Sequence, residues 1–220
     1  MLSTTASRNA SVYLVQERWE KYVRPEHADW TWRMLVGLYG EPTRHYHTLE
    51  HVAACLREAD GLLAMQPTLD RDRMELALIW HDAVYVPGQK ENERLSAELL
   101  NALRDVLTVR DRNTVEYACT TIVATAAHDA DWYGSDALSA VLDIDMSILG
   151  QDEATYDAYV KAVRKEFGFI SDDAWRVGRG GFLAETLTRK KIYTLDVMRG
   201  RYEIRARENM RREAEGLAVP

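Results

Sequence analysis

The sequence predicts an all-α fold: a single compact helical bundle with additional C-terminal helices. Helical periodicity recurs wherever apolar residues cluster, as in Val12, Val15, Trp19 and Tyr22 or Tyr156, Tyr159, Val163 and Phe167, whereas strand-like alternation is almost absent. The residues are 46% apolar and 29% charged with only 12 Gly and 5 Pro, a balance that suits a globular chain and argues against disorder or a fibrous repeat. At 220 residues there is material for one domain with a full core, and no stretch reads as a linker. Residues 1–220 are therefore expected to form one domain, with its core at about 30–170 and C-terminal helices at 172–213.

The first helix follows from the stripe Val12 to Tyr22. Further helices are expected at 30–39, 47–64, 72–85, 92–106, 111–128 and 137–149, then around Tyr156 to Phe167, and at 172–178 and 181–213, the last broken near Gly200. Gly40-Glu41-Pro42 separates the second helix from the third, Pro67-Thr68 closes the third, and Pro87-Gly88 ends the fourth. Proline cannot continue a hydrogen-bonded turn, and glycine adopts positive φ at no steric cost.

Charge and cysteine content narrow the function. A net charge of -7 leaves no broad positive field, so a nucleic acid polymer is not an expected partner. The basic run Arg199 to Arg212 is interrupted by Glu203, Glu208 and Glu213, as on a solvated helix. The start, MLSTTASRNASVYLV, lacks a signal-peptide apolar block, and no apolar run approaches the ~20 residues that span a bilayer. No membrane association is expected, and the cytoplasm is the expected compartment. Cys55 and Cys119 fall within helical apolar patterns and read as core residues.

Three segments carry chemistry. Arg44-His45-Tyr46-His47-Thr48-Leu49-Glu50-His51 holds three of the six histidines, with His47 and His51 four residues apart and so on one helix face. In Glu75-Leu76-Ala77-Leu78-Ile79-Trp80-His81-Asp82-Ala83-Val84-Tyr85, a His-Asp pair interrupts an apolar helix whose stripe is Met74, Leu78, His81 and Tyr85. An ionised carboxylate among aliphatic neighbours needs a cation, a set of donors or a proton, and a metal ion would satisfy Asp82 and His81 together. In the segment from Ala137 to Gly150, Asp145 falls inside the stripe Leu138, Val141, Leu142, Ile148 and Leu149, at a place an aliphatic residue would complete. Asp143 lies about 200° round the helix and is expected to support the ligands or face the surface. Two imidazoles and two carboxylates suit Mn²⁺, Fe²⁺, Co²⁺, Ni²⁺ or Zn²⁺ better than Mg²⁺.

A His, then His-Asp about 30 residues later, then an Asp about 60 residues beyond it, in an all-helical chain, resembles the HD-domain metal-dependent phosphohydrolases. More narrowly, Arg44 with Tyr46-His47 and His51, His81-Asp82-Ala83-Val84-Tyr85, Glu91-Asn92-Glu93 with Ser96, and Leu142 to Gly150 are similar to a bacterial subgroup of predicted HD phosphohydrolases. The resemblance implies His51, His81, Asp82 and Asp145 as ligands of one divalent ion, with His47 able to replace or join His51. It implies a metal-activated water that cleaves a phosphate ester of a nucleotide or small phosphorylated metabolite, Asp82 belonging to the catalytic centre. Arg44 is a candidate phosphate clamp and catalytic group, and Lys90 a point charge on the substrate. Glu93 is a candidate general acid or base, or else a first-turn residue stabilised by the helix dipole. His47 and His128 are candidate substrate contacts, His128 alternatively a support for the ligands. Trp30, Trp32, Tyr39, Tyr46, Trp80 and Tyr85 offer either a base-stacking surface or core. The C-terminal helix with Ile192, Leu195, Met198 and Tyr202 either pairs two subunits in a homodimer or wraps its own core. Two other readings stay open: a di-iron HD-type oxygenase of a small organic substrate, and a non-catalytic nucleotide-binding sensor.

Overall fold

Helices make up the architecture of residues 2–109, 111–128 and 136–218, which this computed structural model describes. In chain order they are α1 Leu2–Glu20, α2 Pro25–Tyr39, α3 Leu49–Met65, α4 Arg71–Trp80, α5 Asn92–Ala102, α6 Arg112–Ala124, α7 Asp136–Asp145, α8 Glu153–Glu166, α9 Asp172–Thr188 and α10 Asp196–Ala218. Short 3-10 turns follow α5 at Arg104–Val106 and α7 at Met146–Gly150. Among the described residues there is no strand, only an antiparallel bridge between Val23 and Leu107, and no helix is long and apolar enough to cross a membrane.

Local chemistry sets where the helices begin. Thr48, Asp70, Asp111, Asp152 and Ser171 each accept a first-turn amide, and Pro25 occupies the first turn of α2, where its missing N–H is no loss. The hydrophobic core then follows from α4. Met74 through Trp80 are all buried, so this helix has no solvent face and lies between α3, α6 and α7, with α1 also against it. Its one charged buried residue, Glu75, is met by the guanidinium groups of Arg18 and Arg71 and by the Tyr22 hydroxyl. The buried cluster reaches from Val15 in α1 to Met210 in α10, beyond the expected span of 30–170 at both ends.

Two element boundaries depart from the periodicity. The helix expected over 72–85 stops at Trp80, because side chains elsewhere satisfy the backbone of the next residues. Arg44 donates to the carbonyls of Asp82 and Ala83, the Ser96 hydroxyl bonds both N–H and C=O of Val84, and the Asn92 amide does the same for Val86. The breaks expected between 178 and 181 and near Gly200 do not occur: Gly178, Gly180 and Gly181 lie within α9, and Gly200 within α10. Packing outweighs the roughly 1 kcal/mol that each glycine costs a helix. The real break is Arg189 to Leu195. There the amides of Ile192 and Tyr193 donate to Glu203, and those of Thr194 and Leu195 to Asp143. Asp143 is thus neither a surface group nor a support of the ligands. It is buried, and burial raises its pKa to about 6 against the opposing pull of those two amides.

α10 closes the bundle over the 3-10 turn that follows α7 and against α9. Contact is tightest at Gly150, where a Cβ would meet the Tyr202 Cβ at 2.6 Å and the Tyr202 carbonyl oxygen at 2.7 Å. Gly150→Ala should therefore lower stability by about 1–3 kcal/mol, since backbone atoms must move apart. Urea unfolding measures this, and an unchanged midpoint would mean that α10 is not seated as described.

Candidate metal centre

Three helix ends bring the expected ligands together. His51 stands in the first turn of α3, His81 caps the C-terminus of α4 with Asp82 next in the turn beyond, and Asp145 is the last residue of α7. His51 Nε2 lies 3.1 Å from His81 Nε2 and 3.1 Å from Asp145 Oδ1, while His81 Nε2 lies 3.0 Å from Asp82 Oδ2 and 3.4 Å from Asp145 Oδ1. Asp82 Oδ2 is 3.6 Å from His51 Nε2. The group His51, His81 and Asp145 could hold a metal ion, their ligand atoms all lying within 4.8 Å of one another. Bonds of about 2.1 Å imply ligand separations of about 3.0 Å at right angles and about 3.4 Å in a tetrahedron, so the spacings match the edges of a coordination polyhedron. α4 and α7 both direct their C-termini, the partially negative ends, at the cluster, which favours a cation there. The His81 Nδ1 donates to the Leu78 carbonyl at 3.0 Å, which turns Nε2 toward the centre.

Electrostatics tie the four groups into one unit. Burial opposes a charged His81, yet Asp82 and Asp145 outweigh it and hold its pKa well above the ordinary imidazole range. Burial likewise works against ionised Asp145, but the charge of His81 and hydrogen bonds from His128, His51 and His81 keep it well below the carboxylate range. Asp82 is lowered in the same way, chiefly by His81 and His47 against burial.

The structure separates the doubled histidines. His51 joins the cluster, whereas the His47 ring stacks on Tyr85 at 4.0 Å between centroids and bonds Glu166 Oε2 through Nδ1 at 2.6 Å. His47 thus gives its Nδ1 to Glu166 and is not in the group of ligand atoms, while it stays near enough to Asp82 and Asp145 for their charges, with the Glu166 bond, to raise its pKa against burial. Glu166, which the sequence reading passed over, is the hub of this loop: its Oε1 accepts from the amides of His45, Tyr46 and His47, and its Oε2 also accepts from the Tyr85 hydroxyl. Burial raises its pKa, but the His47 bond and charge and the backbone amides more than reverse this, to about 2. The signal was available, since Glu166 falls on the same inward face as Tyr159 and Val163, an acid within an apolar stripe like Asp145.

Arg44 is also corrected. Its guanidinium is buried beneath the loop, donating to Glu41, to the His47 carbonyl at 3.2 Å, to the Asp82 carbonyl at 2.6 Å and to the Ala83 carbonyl at 2.9 Å, and it lies over the rings of Tyr39 and Tyr85. With its donors used on backbone, it clamps the turn carrying Asp82 rather than a phosphate. Lys90 is exposed in the loop before α5, and no contact joins it to the cluster. Glu93, half-buried in the first turn of α5, does face the site: burial and the charge of Asp82 raise its pKa, while His128 and His81 pull it down. His128 has a left-handed backbone, φ 45°, and places Nε2 2.7 Å from Asp145 Oδ2, so the two oxygens of Asp145 are divided between His128 and the His51-His81 pair. A mostly apolar cavity of about 470 Å³ opens on His51 and Asp145, walled by Tyr46, Ile144, Ile148 and Tyr159. Tyr39 and Trp80 are core, and Trp30 is exposed on α2, so of the aromatic residues considered for stacking only Tyr46 lines this cavity.

Two substitutions separate these roles. Glu166→Gln should destabilise the protein by about 1–3 kcal/mol near neutral pH, because a buried acceptor of three amides and an ion pair is weakened. The folded-state pKa of Glu166 lies below its ordinary value of 4.5, so its contribution is present above that value and is lost as pH falls toward about 2. The stability gap between wild type and Glu166→Gln, measured by denaturant unfolding, should therefore close over that window; a gap independent of pH would refute the assignment. Arg44→Met should cost about 3 kcal/mol by leaving buried carbonyls unpaired. A variant of native stability with only weakened phosphate binding would restore the clamp reading.

Compared with protein-family models, with curated proteins and with solved structures, the chain has no significant match.

Proposed function

We propose that this chain is a metal-dependent phosphohydrolase of the HD-domain type, cleaving a phosphate ester of a nucleotide or small phosphorylated metabolite. The observation that carries the reading is the meeting of His51, His81 and Asp145 from three helix ends, with Asp82 beside His81 and 3.0–3.6 Å from the two imidazoles, and with open space next to His51 and Asp145. When bound there, one divalent ion (Mn, Fe, Co, Ni or Zn in preference to Mg) would supply Lewis-acid chemistry, polarising a phosphoryl oxygen and acidifying a water.

The chain's own groups do the rest. His128 orients the Asp145 carboxylate by holding its second oxygen. Glu93, its proton affinity raised by burial and by Asp82, is suited to hand a proton to the departing oxygen. Tyr46 and Tyr159 offer aromatic surface in the cavity for the body of the substrate, and the apolar walls keep bulk water from the reacting bond.

Protein of known metal content, supplemented with Mn²⁺, Co²⁺, Ni²⁺ or Zn²⁺, should release phosphate from members of a nucleotide and sugar-phosphate panel. His81→Ala and Asp145→Ala should each reduce that release by about 100-fold or more, since each removes a direct ligand. Equal release by both variants would refute the site, and oxygen uptake with bound iron in place of phosphate release would favour the oxygenase chemistry.

A further inference from the structure

Beside the same cluster lies a second and larger cleft, of about 1100 Å³, with His128 in its wall. It is more polar than the first cavity, and its charge is opposite in sign to that of the chain as a whole, whose net charge is -7. Arg189, Lys190, Lys191 and Arg199 line it, against Glu185 as the one carboxylate among its described lining residues. Glu185 is already engaged, 3.6 Å from Arg189.

The cationic wall is built rather than loose. Arg189 donates to the carbonyls of Ala127 and His128, which ties the basic segment to the residue that holds Asp145. Downstream, the amides of residues 192–195 are pinned by the half-buried carboxylate of Glu203 and the buried one of Asp143. Arg199 is steadied by the Thr194 carbonyl and Asp196. Between these anchors stand Lys190 and Lys191, both exposed, with no hydrogen bond or ion pair among the described residues. With Arg189 paired to Glu185 and Arg199 to Asp196, the two adjacent ammonium groups on a fixed backbone are the uncompensated charges, one for each of two neighbouring phosphate groups.

We propose that this cleft is an anion subsite for small molecules bearing two or more phosphate groups, holding the phosphates that do not react while the scissile one lies at the metal centre. The proposal rests on the phosphohydrolase reading for the placement of the scissile group, but the binding itself does not require turnover. It also relocates the phosphate-binding cations from Arg44 and Lys90, where the sequence suggested them, to the connection between α9 and α10. A nucleic acid polymer is disfavoured, because the protein as a whole is acidic, with a net charge of -7.

Calorimetric titration of tripolyphosphate into the full-length chain, both as purified and after metal depletion, tests this. The Lys190→Ala/Lys191→Ala variant should weaken binding by about tenfold or more, and added salt should weaken the wild type, because exposed charges are screened over about 10 Å at 0.1 M. The Lys161→Ala/Lys165→Ala variant removes equal charge from α8, outside the cleft, and should bind like wild type. Unchanged affinity in the first variant, equal loss in both, or tighter binding of a single-stranded oligonucleotide than of tripolyphosphate would each overturn the proposal. Lysine-dependent tripolyphosphate binding without hydrolysis of any phosphorylated compound would uphold the cleft and defeat the phosphohydrolase reading. Hydrolysis of di- and triphosphates that is indifferent to the two lysines would do the reverse.

Discussion

Two carboxylates can be kept about 3 Å from imidazoles and largely out of water only where positive charge meets them, and the centre of this molecule is arranged around that compensation. Asp82 and Asp145 hold His81 in its charged form against burial, and the same histidines hold both acids ionised. Neither member of the set would be tolerated alone among the aliphatic side chains of α4 and α7. A divalent ion could replace the proton as the compensating charge without moving the ligand atoms far, since their spacings resemble a coordination shell.

The supports of this cluster share one device: a buried charged side chain satisfies the backbone of a loop. Arg44 takes the carbonyls of the turn holding Asp82, and Glu166 takes three consecutive amides ahead of α3. Asp143 and Glu203 do the same for the connection between α9 and α10. Unpaired buried backbone groups are costly, so each such clamp makes one loop conformation much better than its alternatives. The placement of the candidate ligands therefore derives from side chains outside the cluster.

The two flanks of the cluster differ in chemistry. One side, against α3 and α8, is walled by tyrosines and isoleucines, and the other, against α9 and α10, by arginines and lysines. Asp145 links them, one oxygen directed toward the histidine pair and the other toward His128 in the basic cleft. A ligand with an organic body and several phosphates complements that division better than a neutral or singly charged one.

The all-helical class, most helix starts and the anomalous polar positions His81, Asp82 and Asp145 were legible in the sequence, because periodicity and capping are local and an acid inside an apolar stripe is conspicuous. Glu166 sent the same signal and was overlooked. What no local pattern contained was how distant charges are spent: Arg44 looked available for phosphate until the fold set it under the carbonyls of residues 82 and 83. The choice between His47 and His51, the end of α4 at Trp80 and the break at 189–195 likewise depend on Glu166, Ser96, Asp143 and Glu203, partners from 10 to 119 residues away. Periodicity reports which face of a helix is buried, but only tertiary structure decides which polar groups meet there, since hydrogen bonds and ion pairs form between neighbours in space.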